Sequence, residues 1–233
     1  MTTKNYFKIA MLLIVIGVLA SCSNNNGWNR LGLHGKVKTY LERYYKAEMK
    51  FGEWTNGDIE YYGHNRVSFD SEGNCQWIEF LDDDNELSSK TISKIESGEI
   101  VGEAHYDEYG DLISKTEIIS NSKDESELIE YDKDGEKIAH VTIYFANNRV
   151  IKKQYQTFED NKVKKEYVNV WEYDKDGNLA SVKEIDKNGK ILHFSRFEYL
   201  AFDELKNWTK RLVYDSENSK EPKYVVIREY EYY

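Results

Sequence analysis

Apolar and polar side chains alternate in short runs along most of the chain, and clusters of Asp, Asn and Gly break those runs at near-regular intervals. Glu166-Tyr167-Val168-Asn169-Val170-Trp171-Glu172-Tyr173 and Val225-Val226-Ile227-Arg228-Glu229-Tyr230 are typical. Their β-branched and aromatic content favours strands, and a period of two gives each strand two distinct faces. Many runs carry aromatics on one face and charges on the other. Ile191 to Phe197 is apolar on both, which predicts a part of the sheet covered on both sides. The single proline, Pro222, fits uninterrupted ladder pairing. Helix competes with strand only over Lys36 to Glu48, where Val37, Leu41 and Tyr44 have helical spacing. The Tyr and β-branched content of that segment favours strand.

The punctuation repeats. Asp precedes Gly by three residues at Asp70/Gly73, Asp107/Gly110, Asp132/Gly135, Asp174/Gly177 and Asp186/Gly189. This is the chemistry of a three-residue hairpin loop, a type I turn followed by a left-handed residue. The Asp carboxylate accepts amides ahead of it, and Gly takes the position where a Cβ costs about 1–2 kcal/mol. Asn85, Asn148 and Asn161 read as degenerate copies, and Gly57, Asn65, Gly98 and Asn121-Ser122 as further turns. Marks at 73, 85, 98 and 110 stand 12, 13 and 12 residues apart. Four turn residues per period leave strands of about eight residues, hence about twelve to fourteen strands. The fold class is all-β: an antiparallel up-and-down meander of repeated hairpins, forming a strongly twisted, curled sheet or partial barrel.

The N-terminus differs. Lys4 and Lys8 flank an apolar run from Ile9 to Ala20 that is too short to span a bilayer as a helix, the pattern of a signal peptide. Leu19-Ala20-Ser21-Cys22 resembles the lipobox of bacterial lipoproteins, which implies removal of 1–21 and lipid attachment at Cys22. Residues 22–30 then form the lipidated Cys and a polar tether, and 31–233 a single β-repeat domain. Ser23 and the lack of acidic residues directly after Cys22 favour the outer membrane, facing the periplasm.

The formal net charge of −10 argues against nucleic acid, whose binding requires Lys and Arg on phosphates, and leaves the lipid as the membrane contact. With Cys22 lipidated, Cys75 has no disulfide partner and reads as a small buried hydrophobe.

Tyr-Asp-x-x-Gly-x-Leu at 106–112 and 173–179 resembles the YD (Rhs-like) repeat, in particular a lipoprotein variant of unknown function. Gly32-Leu33-His34-Gly35-Lys36-Val37-Lys38 and Lys206-Asn207-Trp208-Thr209-Lys210-Arg211 are similar to other elements of that group. The resemblance covers most of 31–215. It implies a spiralling β-architecture and no particular activity.

No chemistry is compelled. An EF-hand loop aligned on Asp174, Asp176 and Gly177 meets Lys183 where Glu is required, and the corresponding loop from Glu130 meets Val141. His34, His64, His105, His140 and His193 stand singly, without metal-site spacing. Nucleophile elbows and phosphate loops are absent from the sequence. The expectation is a non-enzyme without cofactor or metal, an interaction module for a protein partner. A glycan ligand stacked on exposed Tyr and Trp, or an immunity role, is the alternative. Trp171 and Trp77 read as core, and Trp208 as the exposed tryptophan.

Overall fold

The computed structural model describes residues 26–60 and 64–233; Cys22 and the segment read as a signal peptide lie outside them. A short helix, α1 (Gly27–Leu31), precedes β1 (Val37–Lys50), β2 (Glu53–Ile59), β3 (His64–Phe69), β4 (Cys75–Leu81), β5 (Leu87–Glu96), β6 (Glu99–Asp107) and β7 (Leu112–Asn121). There follow β8 (Glu125–Asp132), β9 (Lys137–Ala146), β10 (Arg149–Glu159), β11 (Lys162–Tyr173), β12 (Leu179–Asp186), β13 (Ile191–Phe202), β14 (Trp208–Tyr214) and β15 (Tyr224–Tyr232). The segment 36–48 is thus strand, as its composition favours.

Each strand from β3 to β15 pairs antiparallel with its successor, and β15 pairs with β1 from Tyr232 opposite Val37 to Tyr224 opposite Lys46. The meander therefore closes, and β1 with β3–β15 forms a fourteen-stranded barrel. Closure removes the open edges that a curled sheet would leave exposed. On its other side β1 pairs first with β2, over Tyr45–Lys50, and then with β3, over Thr39–Glu42. Trp54 of β2 packs against Leu212, Tyr214 and Val225, so β2 covers part of the outer wall.

The Asp turns form as their chemistry requires. Asp132 Oδ1 accepts the amides of Asp134 (3.0 Å) and Glu136 (2.8 Å), and Gly135 takes φ +87°. Asp70, Asp107, Asp174 and Asp186 accept the amides two and four residues ahead in the same way. Their glycines, Gly73, Gly110, Gly177 and Gly189, hold the same left-handed position, and each donates its N–H back to the carbonyl of its Asp at 3.0–3.2 Å. Asn85, at φ 63°, is a true copy. Asn148 and Asn161 are not: Asn147/Asn148 and Asp160/Asn161 are two-residue turns with both φ positive, the type that matches strand twist. Gly57 and Asn65 lie within β2 and β3 rather than in turns. An unexpected copy occurs at Asp203, where Lys206 occupies the left-handed position at φ 69°.

Alternate residues of each strand point into the barrel. Two apolar clusters fill much of it, one around Val37, Val67, Phe69, Cys75 and Ile78, the other around Leu128, Val141, Ile143, Tyr155 and Trp171. Outward positions carry ion pairs. Arg66, Glu79 and Lys90 stand in register across β3, β4 and β5, with Glu79 3.5 Å from Arg66 and 3.0 Å from Lys90. A lipid-facing barrel wall needs an apolar band, and each Lys or Arg at its midplane costs about 2–4 kcal/mol. The Arg66–Glu79–Lys90 row gives this part of the wall a charged surface suited to water. Trp77, read as core, lies half-buried on this outer wall with the Lys90 ammonium 4.7 Å over its ring.

Candidate functional site

One end of the barrel is stoppered by the segment from α1 to β1. Trp28 and Leu33 are buried there, and Trp28 Nε1 donates to Val37 O at 2.8 Å. Asn207 fastens the segment to the β13–β14 turn: its Oδ1 accepts from His34 N (2.8 Å), and its Nδ2 donates to His34 O (2.8 Å). Asn207 is therefore a structural clamp, 2% exposed.

Beneath this stopper is a cavity of about 190 Å³, lined from Arg30 and Gly32 down to Glu42 and Arg211. Its walls are aromatic: Tyr40, Tyr44, Trp171, Tyr173, Tyr199 and Trp208 all face it. Its charge opposes that of the protein. Four guanidiniums, of Arg30, Arg149, Arg211 and Arg228, and the Lys153 side chain line it together with one carboxylate, Glu42.

Glu42 lies on β1 between Tyr40 and Tyr44, two residues from each on the same inward face, and opposite Arg228 of β15. Burial by itself would raise the Glu42 pKa, but Arg228 and Arg211 outweigh it, and the carboxyl is held below its usual range. Arg211 Nη2 donates to Glu42 Oε1 (3.1 Å) and Tyr44 Oη (3.2 Å); Arg228 Nε donates to Glu42 Oε2 (2.9 Å). Trp208, expected to be exposed, is half-buried against the cavity, with Arg228 3.9 Å and Arg211 4.2 Å from its ring centroid. The indole's electron-rich faces stabilise two guanidiniums that share one carboxylate.

Lys153, in the cavity lining, is coupled to a second buried carboxyl, Glu103 of β6. Burial raises the Glu103 carboxyl to about 8 against the opposing pull of Lys153, and lowers the Lys153 ammonium to about 7 against that of Glu103.

The other sequence candidates do not converge. Successive hairpins send the Asp turns to opposite rims: Asp70/Gly73 and Asp174/Gly177 to the stoppered end, Asp107/Gly110, Asp132/Gly135 and Asp186/Gly189 to the other. Gly177 alone among them lines the cavity. Gly73 instead borders the stopper, where a Cβ would stand 2.6 Å from the Trp28 ring. Gly110, Gly135 and Gly189 have open space around them and serve only their turns. His64 is buried with its Nε2 2.7 Å from Glu60 O, His105 bonds Thr91 Oγ1 at 3.0 Å, and His140 bonds Glu127 at 2.7 Å. Among the described residues no three His, Cys, Asp or Glu side chains are grouped to hold a metal ion. Cys75 is buried in the core, where burial pushes its thiol pKa well up.

Sequence reading placed the charges on solvated faces and so missed Glu42, Arg211, Arg228, Lys153 and Glu103. A signal was present: Tyr40-x-Glu42-x-Tyr44 and Val226-x-Arg228-x-Tyr230 each set a charge in phase with apolar neighbours.

No protein-family model and no curated protein matches the sequence. Among solved structures, the barrel is similar to a porin-like protein from Bacteroides uniformis, with a TM-score of 0.42 and 8% identity over 84% of this chain and 98% of that one. It is also similar to part of a chain in the TcdB2-TccC3-Cdc42 structure (TM-score 0.20, 14% identity, 71% of this chain and 12% of that one). A third similarity is to the Photorhabdus luminescens Tc holotoxin pore (TM-score 0.19, 15% identity, 79% of this chain and 13% of that one). The chain spans about an eighth of the length of these last two.

Proposed function

We propose that this chain is a cell-envelope lipoprotein, anchored through Cys22 in the outer membrane and facing the periplasm, that binds a small molecule inside its barrel without transforming it. The observation that carries the reading is the cavity, a concave space with aromatic walls and more guanidiniums than carboxylates. Side chains so arranged recognise a ligand by stacking and charge. The repeated Asp turn supports kinship with YD-repeat lipoproteins. The anchor supports placement in the envelope.

Native mass spectrometry of the full lipidated chain, isolated from its own envelope, tests this. The expected result is a one-to-one small-molecule adduct, either carried through isolation or taken up from an envelope extract. Val182→Trp, which fills the cavity from its β12 wall, abolishes it while the circular dichroism spectrum is kept. A protein that acquires no adduct from either source overturns the reading.

A protein partner on the outer wall is a second reading, favoured by the exposed Leu192 and Leu200 of β13. A photocrosslinker at Leu200 captures one dominant protein in cells if it holds, and none if it does not.

A further inference from the structure

We propose that the cavity is a site for a small monocarboxylate with a single-ring body, its carboxylate held by Arg149 and its ring against the aromatic wall. This rests on the reading of the barrel lumen as a binding site and adds the chemical class of the ligand.

Size comes first. A cavity of about 150 Å³ admits benzene; this one, at about 190 Å³, has room for one ring and a small head group.

Charge selects the head group. Arg211 and Arg228 share Glu42, and the Arg30 guanidinium lies 4.1 Å over Phe145. Arg149 makes no hydrogen bond to another described residue; its one contact of note is with the Tyr173 ring, 5.5 Å from its Cζ. A guanidinium presents parallel N–H groups that match the two oxygens of one carboxylate. One such group suits one monoanion.

Arg149 is also held in place. Tyr173 Oη donates to Val150 O at 2.9 Å, which fixes the ring beside the guanidinium. Gly32, at φ +67°, borders it from the stopper, where a Cβ would stand 2.2 Å from Arg149 Nη1. The stopper's glycine therefore makes room for the arginine at the cavity lining. Trp171, Leu179 and Val182 supply apolar wall in the same cavity. A group positioned before binding loses little freedom when the ligand arrives.

The test uses the full lipidated protein in detergent, titrated with phenylacetate and with its uncharged isostere phenylacetamide, by calorimetry and by the fluorescence of the tryptophans at the cavity. Phenylacetate is expected to bind one-to-one, and phenylacetamide about tenfold more weakly or worse. Arg149→Gln should weaken phenylacetate by about the same factor and leave phenylacetamide unchanged; Arg149→Lys should recover part of the loss. Lys152→Gln, which removes a charge from the outer face of the same strand, should change neither.

No phenylacetate binding at millimolar concentration overturns the inference. So does equal affinity for the two probes, or indifference to Arg149→Gln. Equal binding of both probes that Val182→Trp abolishes leaves the lumen as a binding site and removes only the anion assignment. Absence of phenylacetate binding beside a native small-molecule adduct removes the ligand class alone. Absence of both removes the functional reading as well.

Discussion

Glu42 and Arg211 meet inside the barrel at 3.1 Å although 169 residues separate them and β15 runs between their strands. With Arg228 they form a buried triad, each member less than a tenth exposed. Glu42→Gln leaves two buried guanidiniums without their carboxylate and should cost about 3–5 kcal/mol in urea unfolding at neutral pH. The pH dependence has a definite sign. The folded carboxyl lies below its unfolded pKa of about 4.3, so its contribution is complete above that value and is lost as pH falls through the folded one. Wild type and Glu42→Gln should therefore converge in acid, and a difference independent of pH would contradict the pairing.

Backbone conformation separates two substitutions of opposite sign. Lys206 holds a left-handed φ that its six counterparts assign to Gly or Asn. Lys206→Gly should stabilise the protein by about 1 kcal/mol. Gly102, in the middle of β6, is required for a different reason: a Cβ there would stand 2.3 Å from the backbone oxygen of Thr116 on β7. Gly102→Ala should destabilise by about 3 kcal/mol or more. Thermal unfolding of both variants gives the comparison.

The same contrast explains what the sequence discloses. Asp132-Lys133-Asp134-Gly135 is legible because its hydrogen bonds close within five residues. The Lys206 turn escapes because Lys carries no turn signal, and neighbouring β13 and β14 hold it in place. Closure of β15 on β1 is a contact between chain ends, invisible to any local pattern. The cavity is harder still. Arg149 follows the Asn147-Asn148 turn and reads as a solvated rim charge, and only the stopper places it beside Gly32.

Glu103 gives the opposite pH response to Glu42. Burial raises its carboxyl to about 8, beyond what Lys153 offsets. Between about 4.3 and 8 the folded state holds a proton that the unfolded state has released, so this residue makes stability fall as pH rises. Glu103→Gln should be more stable than wild type at about pH 9, and the difference should close toward about pH 4. Urea midpoints across this range decide it; parallel curves would mean that Glu103 ionises as an exposed carboxylate does.

Cys75 packs with Val67, Phe69 and Ile78, and its Sγ lies 3.8 Å from Trp77 O. Because burial raises its thiol pKa, the reactive thiolate is scarce and unreachable in the folded barrel. A thiol reagent at mildly alkaline pH should label Cys75 only in denaturant. Rapid labelling of the folded protein would contradict its place in the core.

Asn207 decides whether the stopper is part of the barrel or only rests on it. Its side chain bonds both the N–H and the C=O of His34 and donates to Tyr232 Oη at 2.8 Å. Asn207→Ala leaves those partly buried backbone groups without their partner, at about 1–3 kcal/mol. Because the fourteen-stranded ladder does not depend on this side chain, the loss should be local. Amide exchange should accelerate at Leu33, His34 and Gly35, and proteolysis should begin in 26–36, while β6 to β10 keep their protection. Asn207→Asp separates the two roles of the amide: it retains the acceptor for His34 N and loses the donors, so it should fall between wild type and alanine. Exchange that accelerates uniformly around the barrel would instead show that the stopper and the wall unfold as one unit.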